Sequence, residues 1–243
     1  MHMRNFELVS FPNDATLADR VAIEWLKEIE SASRNGRQPC VALSGGRIAQ
    51  KFFASVAENA RARAVSLEQA HFFWADERCV APTDAESNYL IARRLLFGPL
   101  KIPDSRTHRI RGEDSPEATA QSAEAEIRRI APRDAGGQPV LDLVFLGMGE
   151  DGHVASLFPG EPETAMAGNA VYRAVKNAPK PPPNRVTLGY PAIVAAREVW
   201  VLASGAGKEA ALRQSLSPTG GTPLARVLKL RDWTRIFTDI AVQ

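Results

Sequence analysis

The sequence predicts an α/β protein built around a mainly parallel β-sheet. Short apolar runs alternate with longer segments of helical periodicity, and the run at 140–146 is almost continuously apolar. Such alternation is typical of parallel sheets, whose strands are buried on both faces. With 243 residues, of which 44% are hydrophobic, the chain is long enough to bury a substantial core.

Each element is predicted from its apolar spacing and its flanking residues. Six apolar runs are predicted to be strands: 6–11, 39–43, 71–75, 140–146, 199–203 and 236–242. The first helix follows Asn13 or Asp14 as its N-cap and ends near Gly36. Further helices are predicted after the Gly pair at 45–46, at Ser87, at 115–116, through Leu212 and at 222–223.

We expect one domain over residues 1–243. The segment 98–137 is more polar and has a weaker strand signal, so it is predicted to form a partly separate lobe. The proline run at 179–183 is predicted to be a rigid, exposed connection. No internal repeat or low-complexity tail is present.

Composition and charge argue against several classes of function. The formal net charge is +2, with acidic and basic residues interspersed, which argues against a nucleic-acid-binding surface. No apolar run has the length of a membrane span or a signal peptide. Cys40 and Cys79 have neither metal-site spacing nor the number for a disulfide framework. We therefore expect a cytoplasmic protein with no membrane or nucleic-acid partner.

Glycine, charged residues and a histidine follow four of the predicted strands. The four segments are Ser44-Gly45-Gly46-Arg47, Asp76-Glu77-Arg78, Gly147 through His153, and Ser204 through Lys208. Because ligands bind at the carboxyl ends of the strands in open parallel sheets, these segments are expected to meet at one edge.

Two of these segments are candidates for anion binding. Gly45 and Gly46 could form only a tight turn, or they could present backbone N–H groups and a helix N-terminus to a phosphate. Arg47 directly after them favours the second interpretation, because arginine can bind a phosphate through two hydrogen bonds. Lys208 has the same possible role, the alternative being a solvated lysine at a helix start.

The other two segments supply candidates for catalysis. His153 lies two residues after Asp151 in a glycine-rich loop, and an imidazole oriented by Asp151 or Glu150 suits general-base work. A lone histidine is nevertheless more often structural than catalytic. Asp76 and Arg78 leave a buried strand, although as an exposed pair they could simply bind each other.

Several familiar chemistries lack their sequence signals. His2, His71 and His108 are scattered without zinc-site spacing, so we expect no metal ion. No GxSxG motif marks a serine nucleophile. The glycines at 147, 149 and 152 do not complete a dinucleotide motif convincingly, since His153 follows where a helix would begin. No cofactor is expected.

Several segments in order resemble the 6-phosphogluconolactonase family over nearly the whole chain. They are Leu43-Ser44-Gly45-Gly46, Asp76-Glu77-Arg78-Cys79-Val80 with Ser87-Asn88-Tyr89, Leu146 through Pro159, Pro179-Lys180-Pro181-Pro182 with Arg185-Val186-Thr187-Leu188, and Gly205-Ala206-Gly207-Lys208. The stretch 149–160, which reads Gly-x-Asp-Gly-His-x-x-Ser-Leu-Phe-Pro-Gly, is the most specific of these.

The resemblance implies a Rossmann-like three-layer α/β/α fold, shared with glucosamine-6-phosphate deaminases and ribose-5-phosphate isomerases. It also implies hydrolysis of 6-phospho-D-glucono-1,5-lactone in the oxidative pentose phosphate pathway, with a phosphorylated sugar lactone as the small-molecule partner. The implied site has His153 in catalysis, and we expect Asp151 and Asp76 to support it. Arg185 and Lys208 would bind phosphate.

The implied binding set is completed by the first glycine loop and by Arg78, which would line the sugar with Asp76. The family loop usually reads Gly-Gly-Ser-Thr-Pro, whereas Gly46 is followed here by Arg47, Ile48 and Ala49. The two hydroxyl side chains that follow the glycine pair in the family are therefore absent here, and we expect the positive charge of Arg47 to replace them.

Two alternatives remain open from the sequence. A sugar-phosphate isomerase or deaminase of the same fold would carry Phe-Asn-Glu after the Asp-Gly-His loop, where this chain has Ser156-Leu157-Phe158. A non-catalytic sugar-phosphate sensor in a transcription regulator would need an N-terminal helix-turn-helix, but the first strand is expected by about Phe6. We expect a monomer.

Overall fold

A computed structural model describes residues 5–162 and 168–242. Within these residues nine strands form in chain order: β1 (Phe6–Ser10), β2 (Cys40–Leu43), β3 (His71–Trp74), β4 (Asp76–Arg78), β5 (Leu143–Gly147), β6 (Tyr172–Val175), β7 (Arg185–Leu188), β8 (Glu198–Ala203) and β9 (Thr234–Thr238). Six of them form a parallel sheet in the order β1-β9-β8-β5-β2-β3. The α/β prediction with a mainly parallel sheet is confirmed.

Helices connect and flank these strands. They are α1 (Asp14–Arg34), α2 (Arg47–Arg63), α3 (Asn88–Ala92), α4 (Gly98–Leu100), α5 (Pro116–Ile130), α6 (Tyr190–Ala195), α7 (Glu209–Leu216) and α8 (Pro223–Leu230), with a π-helical turn at Arg93–Phe97 and a 3₁₀ turn at Asp104–Arg106. Among the described residues, none of the helices has the combined length and apolarity needed to cross a membrane.

The predicted caps are present at the helix starts. Asn13 accepts the N–H of Thr16 at 2.8 Å, and the side chains of Ser87, Ser115 and Thr222 accept N–H groups in the first turns of α3, α5 and α8. A side chain that satisfies one of the free N–H groups of a first turn stabilises a helix by about 1 kcal/mol.

Aromatic side chains join the helices to the main sheet. Trp25 of α1 lies 5.7 Å from Phe52 of α2 and 5.2 Å from Phe145 of β5, measured between ring centroids. Phe145 in turn meets Trp200 of β8 edge to face at 5.7 Å. Aromatic pairs of this geometry add about 0.5–1.5 kcal/mol each beyond their area burial. One part of the core therefore lies between α1, α2 and the central strands, and buried residues of α6 and α8 belong to the same apolar cluster.

Two predicted strands have bounds that are shifted by more than one residue. β5 begins at Leu143 rather than at 140. The preceding residue, Asp142, accepts the backbone N–H of Cys40 with its carboxylate at 2.9 Å. β9 spans Thr234–Thr238 rather than 236–242, because the Thr238 hydroxyl accepts the N–H of Ile240 and turns the chain away.

A second, antiparallel sheet has no counterpart in the sequence prediction. It has the order β4-β7-β6, and the segment Asp76–Arg78, which the sequence placed in a loop, is its strand β4. In the register, Asp76 is opposite Thr187 and Arg78 is opposite Arg185. Asp76–Arg78 forms a strand because it pairs with β7, a segment distant in sequence, which supplies backbone hydrogen bonds that are not available locally.

The segment 98–137 packs against the rest of the chain. Ile102, Ile110 and Ile127 belong to the same apolar cluster as the main sheet, and Thr107 forms a parallel bridge with Phe72 of β3. His108 is carried by this segment against the imidazole of His71, with their ring centroids 5.1 Å apart. The sequence analysis described these two histidines as scattered, but the fold brings their side chains into contact. His2 lies outside the described residues.

Candidate active site

A cavity of about 120 Å³ lies at the carboxyl edge of the main sheet, where the loops after β2, β3, β5 and β8 come together. Nine residues that the sequence analysis singled out line it: Ser44, Gly45, Gly46, Arg47, Asp76, Arg78, His153, Arg185 and Lys208. The tenth, Asp151, hydrogen-bonds His153. Segments distant in sequence thus provide one imidazole, carboxylates and several cations around one space.

His153 is held in a defined orientation by Asp151. Its Nδ1 lies 2.5 Å from Oδ1 of Asp151, and its backbone N–H donates to the same oxygen at 3.2 Å. Because the carboxylate accepts, Nδ1 carries the hydrogen in the neutral imidazole and Nε2 keeps a free lone pair. The arrangement gives His153 a nitrogen able to take up a proton.

Burial keeps this imidazole neutral near pH 7. Desolvation lowers the pKa of His153 below its usual 6.5, and the ammonium of Lys180 lowers it further, while the carboxylates of Asp151 and Asp76 raise it. The Phe158 ring, 4.9 Å from the His153 ring, contributes to its burial. A neutral imidazole is the protonation state that a general base requires.

The pKa of Asp151 lies below its usual 3.8. Partial burial raises that pKa, but the hydrogen bond from His153 and the charge of Lys180 lower it by more. The Lys180 Nζ lies 4.0 Å from Oδ1 of Asp151. The ionised carboxylate is therefore available to orient the imidazole and to stabilise its charged form.

The loop before His153 depends on two glycines. A Cβ on Gly149 would lie 2.0 Å from Cε1 of His153, so any side chain there would displace the imidazole. Gly152 has φ +77 and packs against Thr222, where a Cβ would lie 2.7 Å from the threonine Cβ. Only glycine accommodates both the left-handed backbone and this close approach.

Asp76 is buried and held at both carboxylate oxygens. Its Oδ2 accepts the Ser156 hydroxyl at 2.7 Å, and its Oδ1 lies 3.4 Å from the Asn88 amide nitrogen. The same amide donates to the Asp76 carbonyl oxygen at 2.9 Å. Asn88 is 1% exposed and faces Gly45, where a Cβ would lie 1.8 Å from the amide oxygen. The carboxylate is therefore presented to the cavity in one orientation.

The proline run 179–183 positions Arg185. The Arg185 guanidinium donates to the carbonyl oxygens of Lys180, Pro181 and Pro182 at 3.0 to 3.1 Å. Its Cζ lies 5.6 Å from the centroid of Phe158, and the residue is only 4% exposed. The run is largely exposed, as predicted, but it also serves as a carbonyl cradle for a buried cation that lines the cavity.

Arg78 is positioned by two neighbouring acids, Glu77 through the backbone and Glu86 through the side chain. Glu77, 2% exposed, accepts the N–H groups of Arg78, Asn88 and Tyr89 and the Ser87 hydroxyl, which ties β4 to the start of α3. The Nη1 of Arg78 donates to the Glu86 carbonyl oxygen at 2.6 Å. Its Nε is buried and has no hydrogen-bond partner among the described residues. This N–H is therefore a candidate donor to a ligand.

The first glycine loop leads directly into α2. Gly46 is the N-cap of this helix, with φ +99 and no side-chain hydrogen bond to the first turn. Gly46, Arg47 and Ile48 all line the cavity, so the N-terminus of α2 faces it. Backbone N–H groups at such an end favour anions. The Ser44 hydroxyl instead donates to the Phe145 carbonyl oxygen at 2.9 Å.

The lysine loop lies beside this helix start. Ser204 and the N–H of Gly205 bind the Asp239 carboxylate at 3.0 and 3.2 Å, which fixes the loop before Lys208. Burial and the nearby Arg47 guanidinium lower the pKa of Lys208. Two cations that repel each other would be stabilised by an anion between them.

The sequence analysis assigned no function to four residues of this site. They are Asn88, Ser156, Phe158 and Lys180, which hold or surround the predicted residues. Asn88, Ser156 and Phe158 carry neutral or apolar side chains, which give no chemical signal in a sequence. The positions of all four residues within the resembling segments are the only signal that could have indicated them.

The fold and the cavity define a Rossmann-like α/β enzyme with an imidazole–carboxylate pair and several cations in one active site. Residues 12–236 match a family model described as glucosamine-6-phosphate isomerases/6-phosphogluconolactonase. The chain belongs to this glucosamine-6-phosphate isomerase/6-phosphogluconolactonase family.

Individual relatives agree with the family and with the three-layer fold. The 6-phosphogluconolactonase of Streptomyces coelicolor is 33% identical over 220 residues, which cover 88% of this chain and 84% of the relative. That of Mycobacterium tuberculosis is 34% identical over 88% of this chain and 87% of the relative. The solved structure of 6-phosphogluconolactonase from Trypanosoma cruzi superposes with a TM-score of 0.84 at 27% identity, covering 98% of this chain and 96% of that one. These relatives support the lactonase branch of the family.

Proposed function

We propose that the chain hydrolyses 6-phospho-D-glucono-1,5-lactone to 6-phospho-D-gluconate in the oxidative pentose phosphate pathway, with His153 as general base and without a metal ion. The observation that carries the proposal is the Asp151–His153 pair in the same cavity as Arg185 and Lys208. Relatives named 6-phosphogluconolactonase support the choice of substrate. We further infer a monomer, since a single chain supplies every residue that this mechanism uses, and we propose a cytoplasmic location.

The base takes a proton from water. Nε2 of His153 accepts the proton as the water oxygen bonds to C1 of the lactone, and the carbonyl π electrons move to the carbonyl oxygen. The tetrahedral species collapses with cleavage of the bond between C1 and the ring oxygen, which receives the proton from His153. Asp151 keeps the imidazole oriented and supports its charged form between the two steps.

Negative charge on the former carbonyl oxygen needs a fixed donor. The Arg78 side chain, whose Nε has no hydrogen-bond partner within 5–162 and 168–242, is suited to this role, as are the N–H groups of the surrounding loops. A donor that is already oriented and buried needs no reorganisation when charge develops. This role would make Arg78 act at the reacting end of the sugar beside Asp76.

The far end of the substrate carries the phosphate. Arg185, Lys208, Arg47 and the N-terminus of α2 supply positive charge and N–H donors along the same cavity. Binding energy gained at a remote phosphate can fix C1 against the base, and such positioning contributes to kcat as well as to affinity.

A deaminase or isomerase role has less support. Where the deaminase motif would place an acid beside the histidine, this chain places the ring of Phe158, with its centroid 4.9 Å from that of His153. A ring-opening acid is therefore not supplied by this segment. A sensor function is distinguished from an enzyme by turnover alone.

The test is a continuous acid-release assay on freshly prepared lactone, corrected for spontaneous hydrolysis and run with and without a chelator. We expect turnover that the chelator leaves unchanged and no turnover of glucosamine 6-phosphate. His153→Ala is expected to lower kcat by about 10²–10⁴-fold, with KM within a few fold. Unchanged kcat in that variant would overturn the role of His153, and no lactone turnover would overturn the proposal.

A further inference from the structure

The hydroxyl of Ser156 bridges two groups that the proposed mechanism treats separately. Its Oγ lies 2.7 Å from Oδ2 of Asp76 and 3.4 Å from Nη1 of Arg185, and the residue is 0% exposed. Asp76 faces the sugar in the proposed function and Arg185 faces the phosphate. Ser156 is not among the residues that line the cavity, so its influence on a ligand would be indirect.

The direction of both hydrogen bonds is determined by the chemistry of the partners. A guanidinium only donates, so Nη1 of Arg185 donates to the Ser156 oxygen. The hydroxyl hydrogen is then directed to the carboxylate of Asp76, which accepts it. The hydroxyl therefore has one orientation, and each of its hydrogen bonds strengthens the other through polarisation.

Asp76 and Arg185 each have further hydrogen-bond partners on the side away from Ser156. Asn88 holds the other oxygen of the Asp76 carboxylate, and the carbonyl oxygens of 180–182 hold Nε and Nη2 of the guanidinium. Ser156 itself is anchored by its backbone N–H, which donates to the Thr187 hydroxyl at 3.1 Å. The serine is thus a hydrogen-bonded link between two groups that also interact directly through their charges, an interaction that Arg185→Lys retains.

We propose that Ser156 is a positioning residue that couples recognition of the sugar by Asp76 to recognition of the phosphate by Arg185. This inference rests on the proposed function, which assigns those two groups to the two ends of the substrate. A phosphate bound by Arg185 then fixes the hydroxyl and, through it, the Asp76 carboxylate in the orientation that binds the sugar.

The first measurement is the kinetics of Ser156→Ala with the phosphorylated lactone. Alanine fits the space and keeps the backbone N–H, but it removes both hydrogen bonds. We expect kcat/KM to fall on the order of 10- to 100-fold, the size associated with a buried hydrogen bond to a charged group. Thr119→Val is the matched control, because it removes an equally buried hydroxyl of α5, whose one bond among the described residues is to the Arg111 carbonyl oxygen. The control should retain its kinetic constants.

The second measurement separates coupling from a general loss of order. Asp76→Asn, Arg185→Lys and their combination are compared by the affinity for 6-phosphogluconate, in the parent and again in the S156A background. We expect the two effects to be non-additive by more than about threefold in the parent and additive to within about twofold once the hydroxyl is removed. Each variant is checked for a native melting transition.

The outcomes distinguish this inference from the proposed function. If the parent enzyme does not hydrolyse the lactone or bind the product, the proposed function fails first. If the parent is active but S156A retains its kcat/KM, the positioning role is wrong. If S156A is impaired while the coupling between the Asp76 and Arg185 substitutions is unchanged, Ser156 has a structural role only and the inference is overturned.

Discussion

Gly149 lies directly against the imidazole of His153, so closely that a Cβ on the glycine would stand 2.0 Å from Cε1 and 2.1 Å from Nδ1 of the ring. Neither atom is the free end of a flexible chain, because Nδ1 is hydrogen-bonded to Asp151. The position of the proposed base therefore depends on the absence of a side chain four residues before it.

Gly149→Ala should displace the imidazole and break its alignment with the substrate. A misplacement of about 1 Å can lower a rate about 10²-fold, and we expect kcat to fall by at least about that factor. The measurement is steady-state hydrolysis of the phosphorylated lactone. Gly221→Ala is the matched control, since a Cβ there meets nothing within 4 Å, and its kcat should equal that of the parent. A fully active G149A variant would show that His153 need not occupy this position.

The pH dependence of kcat/KM should report the neutral form of His153. Because burial lowers the pKa of His153 below 6.5, the acid limb of the profile should lie below that pH. Asp151 raises this pKa, so Asp151→Asn should move the acid limb to lower pH as well as reduce kcat. The reason is that the imidazolium loses its carboxylate partner.

Lys180 provides the opposite control for the same profile. Its ammonium lowers the pKa of His153, so Lys180→Gln should move the acid limb to higher pH. Its backbone carbonyl, which holds Arg185, is retained in this variant. If the acid limb of kcat/KM lies at the same pH in the parent, D151N and K180Q, His153 is not the titrating base.

The elements of the main sheet could be predicted because their signals are local. The helical spacing of Val21, Trp25 and Ile29 marks the face of α1 that is buried in the structure. The four segments with glycine or charged residues could be assigned to one edge, since all strands of a parallel sheet have their carboxyl ends on the same side. Most candidate residues follow from that geometry.

What could not be predicted depends on pairing between distant segments. Arg185 is brought opposite Arg78 by the register of β4 and β7, and no local pattern in either segment encodes that register. The link through Ser156 arises only when the His153 loop, β4 and β7 are packed together. The contact between His71 and His108 likewise requires the bridge between β3 and the segment at Thr107.

The cations of the cavity should act mainly on the phosphate end of the substrate. Lys208→Met and Arg185→Lys should each lower kcat/KM for the phosphorylated lactone by about tenfold or more, because a charged hydrogen bond to the phosphate is lost. Inorganic phosphate should inhibit the parent competitively and these variants more weakly. Normal kcat/KM in either variant would remove that residue from the phosphate site.

Lys51→Met serves as the control for charge alone. Lys51 lies in α2 near the cavity, but its ammonium is exposed and pairs with Asp14 at 2.7 Å. An exposed pair of this kind contributes little to stability. The variant should keep its kinetic constants, which would show that a nearby positive charge is insufficient without direct contact.

The paired histidines at the opposite end of β3 should make stability depend on pH. Nδ1 of His71 lies 2.9 Å from Nε2 of His108, whose Nδ1 lies 2.7 Å from Oε1 of Glu126. Arg106 donates to Nε2 of His71. This order of donors and acceptors requires both imidazoles to be neutral, because an added proton would place two donors face to face.

The sign of the dependence follows from the pKa shifts. Burial lowers the pKa of His71 from 6.5 to about 4, with Arg106 adding to the effect, and burial also lowers that of His108. The unfolded chain then binds more protons than the folded chain between about pH 4 and 6.5. The stabilisation is fully present above pH 6.5 and is lost as the pH falls through that window.

Urea unfolding between pH 7.5 and 5 measures this loss, and His108→Gln should reduce the number of protons taken up on unfolding. Glu28→Gln is a control of opposite sign. Burial raises the pKa of Glu28 to about 8, so its carboxyl makes the folded state more stable as the pH falls. E28Q should therefore steepen the acid loss that H108Q reduces. An unchanged slope in H108Q would show that His108 is not one of the groups responsible for acid sensitivity.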